Sequence, residues 1–162
     1  MIVVTDTSVV LNLCWLGLES LLPAIYEDVL APEQVRQEFE RKAVTDPRFV
    51  GLRFPFFIAI ENTTVIPAAL TDNPDLDPGE IAAIALALAR GISDVLIDES
   101  SGRAAAISLG LHVTGLLGIL IEGKRRQLVP ALLPLLDSLS AGARFWMDAR
   151  LRQHVLRIAG EL

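Results

Sequence analysis

Two short apolar runs in this chain end on an aspartate just before a helix can start. Ile2–Thr5 (IVVT) runs into Asp6, and Val95–Ile97 (VLI) runs into Asp98. Each run reads as a short buried strand. Val29-Leu30, Thr63–Ile66 and Leu111–Val113 are further extended candidates. Between them lie stretches with helical spacing. One runs from Val9 to Leu22 and is closed by Pro23, and another runs from Pro32 to about Ala43. A third runs from Asp77 to Arg90 and is ended by Gly91, and a fourth is Ser101–Leu109, ended by Gly110. Helices fill most of the chain after Thr114-Gly115, with breaks near Leu128 and Ser140–Gly142. Strands that alternate with helices predict an α/β fold with a parallel sheet covered on both faces. In such a sheet, sites form at the carboxyl ends of the strands. Asp6 and Asp98 would share one edge of the sheet if their strands are neighbours.

The chain has 162 residues, 52% of them hydrophobic, and a mean hydropathy of +0.48. That is enough for one domain with a substantial core, spanning 1–162 with a helical, basic segment from about residue 124. The longest uninterrupted apolar run, Ile81–Ala89, is too short to cross a bilayer. The opening MIVVTDTS lacks the features of a secretion signal. Cys14 is the one cysteine and lies in an apolar helical stretch, so it reads as a structural thiol and the cytoplasm as the compartment. The first 123 residues carry a net −10 and the remainder a net +4. This balance argues against a nonspecific nucleic-acid coat. It fits a metal site beside an anion-attracting surface, or basic residues (Lys124, Arg125, Arg126, Arg144, Arg150, Arg152 and Arg157) that only solvate helices.

Four acids interrupt apolar patterns, and carboxylates are rarely buried without a partner. Asp6 suits a helix cap, although Thr7 and Ser8 could take that role and leave Asp6 free. Glu38 shares a helical stripe with Val35 and Phe39, or snorkels outward from the stripe's edge. Asp77-Pro78-Gly79-Glu80 has the form of a capping box with proline at the first helical position, which alone would account for Asp77 and Glu80. Glu80 also shares a face with Ile84 and Leu88. Asp98 and Glu99 end a strand where Ser100 or Ser101 could cap, so two acids exceed what the turn needs. Asp98 is the preferred ligand and Glu99 the second. Arg103, one helical turn on, could neutralise this pair or hold a phosphate. His112 and His154 fit no zinc spacing. Thr114-Gly115-Leu116-Leu117-Gly118 offers backbone N–H groups to an anion, with close packing as the competing reason for its glycines. Acids converging in one fold suggest a hard cation and chemistry on phosphate.

In their order along the chain, these motifs resemble the PIN domain ribonucleases, in particular small prokaryotic VapC-like toxins and related uncharacterised PIN-like proteins. The pieces that match are DTSVVLNL (6–13), APEQVRQEFE (31–40), LDPGEIAAIALA (76–87) and DVLIDESSGRAAAISLGLHVTGLLGIL (94–120). The resemblance implies a three-layer α/β/α sandwich around a central parallel sheet of about five strands. It implies an acidic pocket that binds Mg²⁺ or Mn²⁺ and hydrolyses RNA phosphodiester bonds. The family's acid positions fall on Asp6, Glu38, Glu80 and Asp98, and Ser8 matches a hydroxyl that supports the first aspartate. Taken with the residue-level reading, Asp6, Asp98, Glu80 and Glu99 are the expected metal ligands, and Ser8, Arg103 and Thr114 the expected groups on the substrate side. The resemblance further implies an RNA substrate, a homodimer and an antitoxin protein partner. The segment 45–62, with Phe49, Phe54, Phe56 and Phe57, falls outside the family pattern and reads as a packed surface or a partner interface.

Other acid-bearing folds fit less well. A haloacid-dehalogenase-type phosphatase needs a second aspartate two residues after the first, where this chain has Ser8. A receiver domain needs a phosphoacceptor on a middle strand and a late strand-end lysine. No glycine-rich phosphate loop is present. The remaining rival is a catalytically inactive PIN-fold module that binds RNA or a protein.

Overall fold

The computed structural model describes all 162 residues. Five strands, β1 (Ile2–Thr5), β2 (Asp28–Ala31), β3 (Ile58–Ile60), β4 (Asp94–Leu96) and β5 (His112–Thr114), form one all-parallel sheet in the order β3-β2-β1-β4-β5. Nine helices connect and cover them: α1 (Thr7–Leu16), α2 (Leu21–Ile25), α3 (Glu33–Thr45), α4 (Ala68–Thr71), α5 (Pro78–Arg90), α6 (Ser100–Ser108), α7 (Leu116–Arg125), α8 (Leu133–Ala141) and α9 (Ala149–Ile158). None is long and apolar enough to cross a membrane.

The period of two along β1 builds the three layers. Val3 points into a cluster of 25 buried residues shared with α1, α3, α7 and α8, whereas Val4 points into a second cluster of 14 residues to which α5 contributes most. Both faces of the central strand are therefore buried, which is why its run has no polar alternation. Strand order reverses between β1 and β4, which pair directly, Thr5 opposite Leu96. A crevice opens at the carboxyl ends on either side of such a switch point. Asp6 and Asp98 flank it.

Three local expectations are corrected. Thr63–Ile66 is not a strand. The Thr63 hydroxyl accepts the N–H of Val65 (3.1 Å), a local turn in place of a ladder bond, and the Asn62 side chain is turned to the start of α3, where it accepts the N–H of Glu33 (2.9 Å). The edge strand is instead Ile58–Ile60, inside the aromatic segment 45–62. In that segment Phe49 is buried and Phe54 packs edge-on against Phe39 (5.4 Å between centroids), while Phe56 is 98% exposed. Lastly, the helix expected from Val9 to Leu22 ends at Leu16, because Gly17 adopts φ 70°. Pro23 does not close it. Pro23 lies in the first turn of α2, where no intrahelical N–H is required.

Candidate active site

The carboxylates gather where helix N-termini meet the strand ends. Asp6 is 3% exposed and is itself the N-cap of α1, contrary to the expectation that Thr7 and Ser8 would leave it free. Its Oδ1 accepts the Ser8 N–H (3.1 Å) and hydroxyl (3.3 Å). Glu80, 1% exposed, forms a complete capping box. Its N–H donates to Asp77 Oδ1 (2.7 Å), and its Oε1 accepts the Asp77 N–H (3.0 Å). Its other oxygen, Oε2, is buried with no partner. Asp98 repeats the pattern. Oδ1 accepts the N–H of Leu116, the first residue of α7 (2.8 Å), and Oδ2 is buried and unpartnered.

Glu80 and Asp98 therefore divide their two oxygens, one fixing a helix start and one buried without a partner. For Glu80 the capping box commits one oxygen and leaves the other outside that role. Asp98 also occupies the Leu116 N–H that could have served an anion at the start of α7.

Glu38 approaches from α3. Its Oε2 accepts the Thr7 hydroxyl (3.1 Å), and its Oε1 lies 3.4 Å from Lys42 Nζ. Asp77, Glu80 and Glu99 bring one oxygen each to within 4.8 Å of one another, a spacing that could hold a cation. This triple includes Glu99 rather than Asp98. It also includes Asp77, for which the sequence predicts a capping role alone. The signal was present in the D-x-x-E box, since a box turned inward presents both of its carboxylates to the same side.

Three glycines let these groups come close. A Cβ on Gly79 would lie 2.7 Å from Glu38 Oε2 and 3.4 Å from both Asp77 Oδ1 and Thr7 Oγ1. A Cβ on Gly102 would overlap Glu80 Oε2, and one on Gly115 would lie 2.6 Å from Asp98 Oδ1 and 2.9 Å from Arg103 Nη1. Arg103 donates to the Ile97 carbonyl (3.0 Å) and faces Asp98 without closing an ion pair. Thr114 lies elsewhere, in a cleft of about 580 Å³ with Tyr26, Asp94 and Arg126, and does not join the acids.

Burial and mutual repulsion both favour the protonated acids here. Burial raises the Asp6 pKa well above the carboxylate range, helped by the negative charges of Asp98, Glu80 and Asp77. Burial pushes Glu80 up to about 7 and Asp98 up to about 6. Cys14 is set apart from this chemistry, since burial pushes its thiol up to about 12.

A family model described as PIN domain matches residues 2–161. The chain belongs to the PIN domain family. No curated protein and no solved structure matches it. PIN domains are nuclease-type folds, and in this one a cluster of acids at the switch point offers a possible divalent-cation site.

Proposed function

We propose that this PIN domain is a metal-dependent endoribonuclease that hydrolyses RNA phosphodiester bonds in the acidic crevice between β1 and β4. The observation that carries this reading is the pair of buried, unpartnered oxygens, Glu80 Oε2 and Asp98 Oδ2. A buried polar atom without a partner is expensive. At neutral pH a carboxylate oxygen in that position calls for a proton or a cation.

The donor set fits a hard divalent ion, because every available atom is a carboxylate or hydroxyl oxygen, as Mg²⁺ and Mn²⁺ prefer. Asp6 Oδ2, Asp98 Oδ2, Glu80 Oε2 and Glu99 would hold it, with Asp77 completing the Glu80–Glu99 side. When bound, the ion supplies Lewis acidity and charge neutralisation at the scissile phosphate. The chain supplies the rest. Ser8 and the start of α1 hold Asp6 in place, and the start of α7 holds Asp98, so neither carboxylate has to reorganise during the reaction. Glu38, oriented by Thr7, stands at the open side of the group, where it can accept a proton from the attacking water as the P–O bond breaks. Arg103 offsets charge behind Asp98.

The VapC-like toxin role, an antitoxin partner and a homodimer belong to the same reading and rest on the family resemblance. The inactive-module alternative predicts RNA binding with no cleavage. RNA incubated with Mn²⁺ should be cut by the wild type, and not when EDTA is added or Asp6 is replaced by Asn. Equal cutting by wild type and Asp6→Asn would assign the activity to a contaminant.

A further inference from the structure

Beside the acids lies a cleft of about 490 Å³ whose far wall is neither acidic nor part of the carboxylate cluster. It runs from Ser8 and Asp98 past Lys42 and Arg48 to Arg144 and Trp146. A shallower basin of about 640 Å³ continues it over Arg41, Lys42, Arg48 and Arg144, with Asp46 as its one acid. A crevice of clustered carboxylates repels a polyanion, so a nucleic-acid strand needs a positive approach next to it. This wall provides one.

The wall is a fixed loop. Gly142 lies against the Trp15 ring so closely that a Cβ there would stand 2.5 Å from it. Ala143 is buried, and its carbonyl accepts Arg48 Nη1 (2.9 Å). The Phe145 N–H donates to the Leu139 carbonyl (2.9 Å), and its ring packs on the larger core. Between these anchors Arg144 adopts φ 55°, a left-handed conformation uncommon for a residue with a side chain. Lys42 and Arg48 are paired with Glu38 and Asp46, whereas Arg144 has no carboxylate partner. Trp146 is 80% exposed. Anchors on both sides therefore hold an unpaired cation and a bare indole at the mouth of the acidic crevice. A buried position would satisfy an indole better, so its exposure on a tethered loop calls for a partner with a flat apolar face and an adjoining negative charge.

We propose that the loop from Gly142 to Met147 is a base-stacking subsite for single-stranded RNA. One unpaired base stacks on Trp146, Arg144 takes the neighbouring phosphate, and the strand passes along the cleft to the carboxylates. This assignment rests on the nuclease reading above. Stacking needs an exposed base face, which a duplex hides, so the subsite selects single strands.

The test separates the two ideas by measuring binding and cleavage independently. Binding of a fluorescent single-stranded oligoribonucleotide and of a blunt-ended RNA duplex is followed by anisotropy in EDTA, where no cleavage occurs. Trp146→Ala should weaken single-strand binding about tenfold, the scale of one lost base–aromatic stack. Trp146→Phe should stay within about threefold of wild type, and binding of the blunt-ended duplex should not change. In a Trp15→Phe background, where Trp146 is the one indole left, the single strand should quench its fluorescence. Circular dichroism checks that each variant is folded. With Mn²⁺, Trp146→Ala should raise KM and leave kcat in place. Equal single-strand affinity for wild type and Trp146→Ala overturns the subsite, even if the wild type cuts RNA and the nuclease reading stands. Equal loss on single strand and duplex overturns it too, as does loss of a co-purifying protein with RNA affinity intact. Trp146-dependent binding without any cleavage upholds the subsite and removes the nuclease reading.

Discussion

The buried carboxylate of Glu80 rests directly against the Cα of Gly102, in space that a methyl group would occupy. Glu80 cannot swing away, because its Oε1 and its N–H are both committed to Asp77. Ile97 Cγ2, 2.9 Å from the same point, closes the other side. Gly102→Ala is expected to destabilise the fold by about 1–3 kcal/mol through overpacking. It should also reduce Mn²⁺-dependent cleavage by more than the folded fraction accounts for, measured by thermal unfolding and by single-turnover assay. Unchanged values for both would place Glu80 elsewhere.

The raised pKa values dictate an unusual stability profile. For a carboxyl whose native pKa exceeds its unfolded one, the native state holds more protons between the two values, so stability falls as pH rises through that window. Glu80, raised to about 7, and Asp98, raised to about 6, put this decline between roughly pH 4 and pH 7. The metal-free protein should therefore melt at a higher temperature at pH 5 than at pH 8. Mn²⁺ should raise Tm more at pH 8, because ligands must be deprotonated to bind it. A metal-free Tm that rises from pH 5 to pH 8 would contradict the buried cluster.

Glu80→Gln isolates the charge from the cap. Its side-chain carbonyl can still accept the Asp77 N–H, so α5 keeps its start. Removing a buried, repelled charge should stabilise the metal-free protein at pH 8 by about 1 kcal/mol or more, while the Mn²⁺-induced shift in Tm shrinks. This is the stability–function exchange expected of a site residue. A large destabilisation would instead make Glu80 a structural element only.

Asp6→Asn carries the same logic to α1. Asparagine caps as well as aspartate, so α1 keeps its start, and with the buried, repelled charge removed the metal-free protein at pH 8 should be at least as stable as the wild type. Cleavage should drop by about 100-fold or more, the scale of losing one preorganised charge-stabilising group. Ser8→Ala should reduce activity less, since the Ser8 N–H still holds Asp6 Oδ1.

Glu161 has a structural role that no local pattern announces. Its carboxylate accepts Lys124 Nζ (2.7 Å) and the N–H groups of Leu132 (2.7 Å) and Leu133 (3.0 Å), tying the chain end to α7 and to the start of α8. Glu161→Ala should cost about 1–3 kcal/mol, as expected when partly buried donors lose an acceptor. A chemical denaturation midpoint equal to that of wild type would show the clasp to be unimportant.

The basic C-terminal segment divides along similar lines. Lys124 pairs with Glu161, Arg125 and Arg126 pair with Glu122, and Arg152 pairs with Asp137, so these four solvate and brace helices. Arg144 alone among the seven lines the cleft beside the acids. Composition could count these charges but could not sort them, because pairing depends on which helices become neighbours.

By itself the sequence determined the alternation of buried runs and helices, and with it the parallel sheet. It also determined that Asp6 and Asp98 end strands, because a strand needs only a short apolar run and its end needs only a turn. It marked Glu38 by its place on an apolar stripe, and it marked Asp77-Pro78-Gly79-Glu80 as a capping box. The pairing of β1 with β4, and the burial of a second, unpartnered oxygen on Glu80 and on Asp98, are properties of the assembled fold. The tertiary structure also decided that Gly79, Gly102 and Gly115 leave the room for this. A hydrogen bond to the next helical turn is local and can be read from spacing. The position of the other oxygen is set by elements that meet only when the sheet assembles.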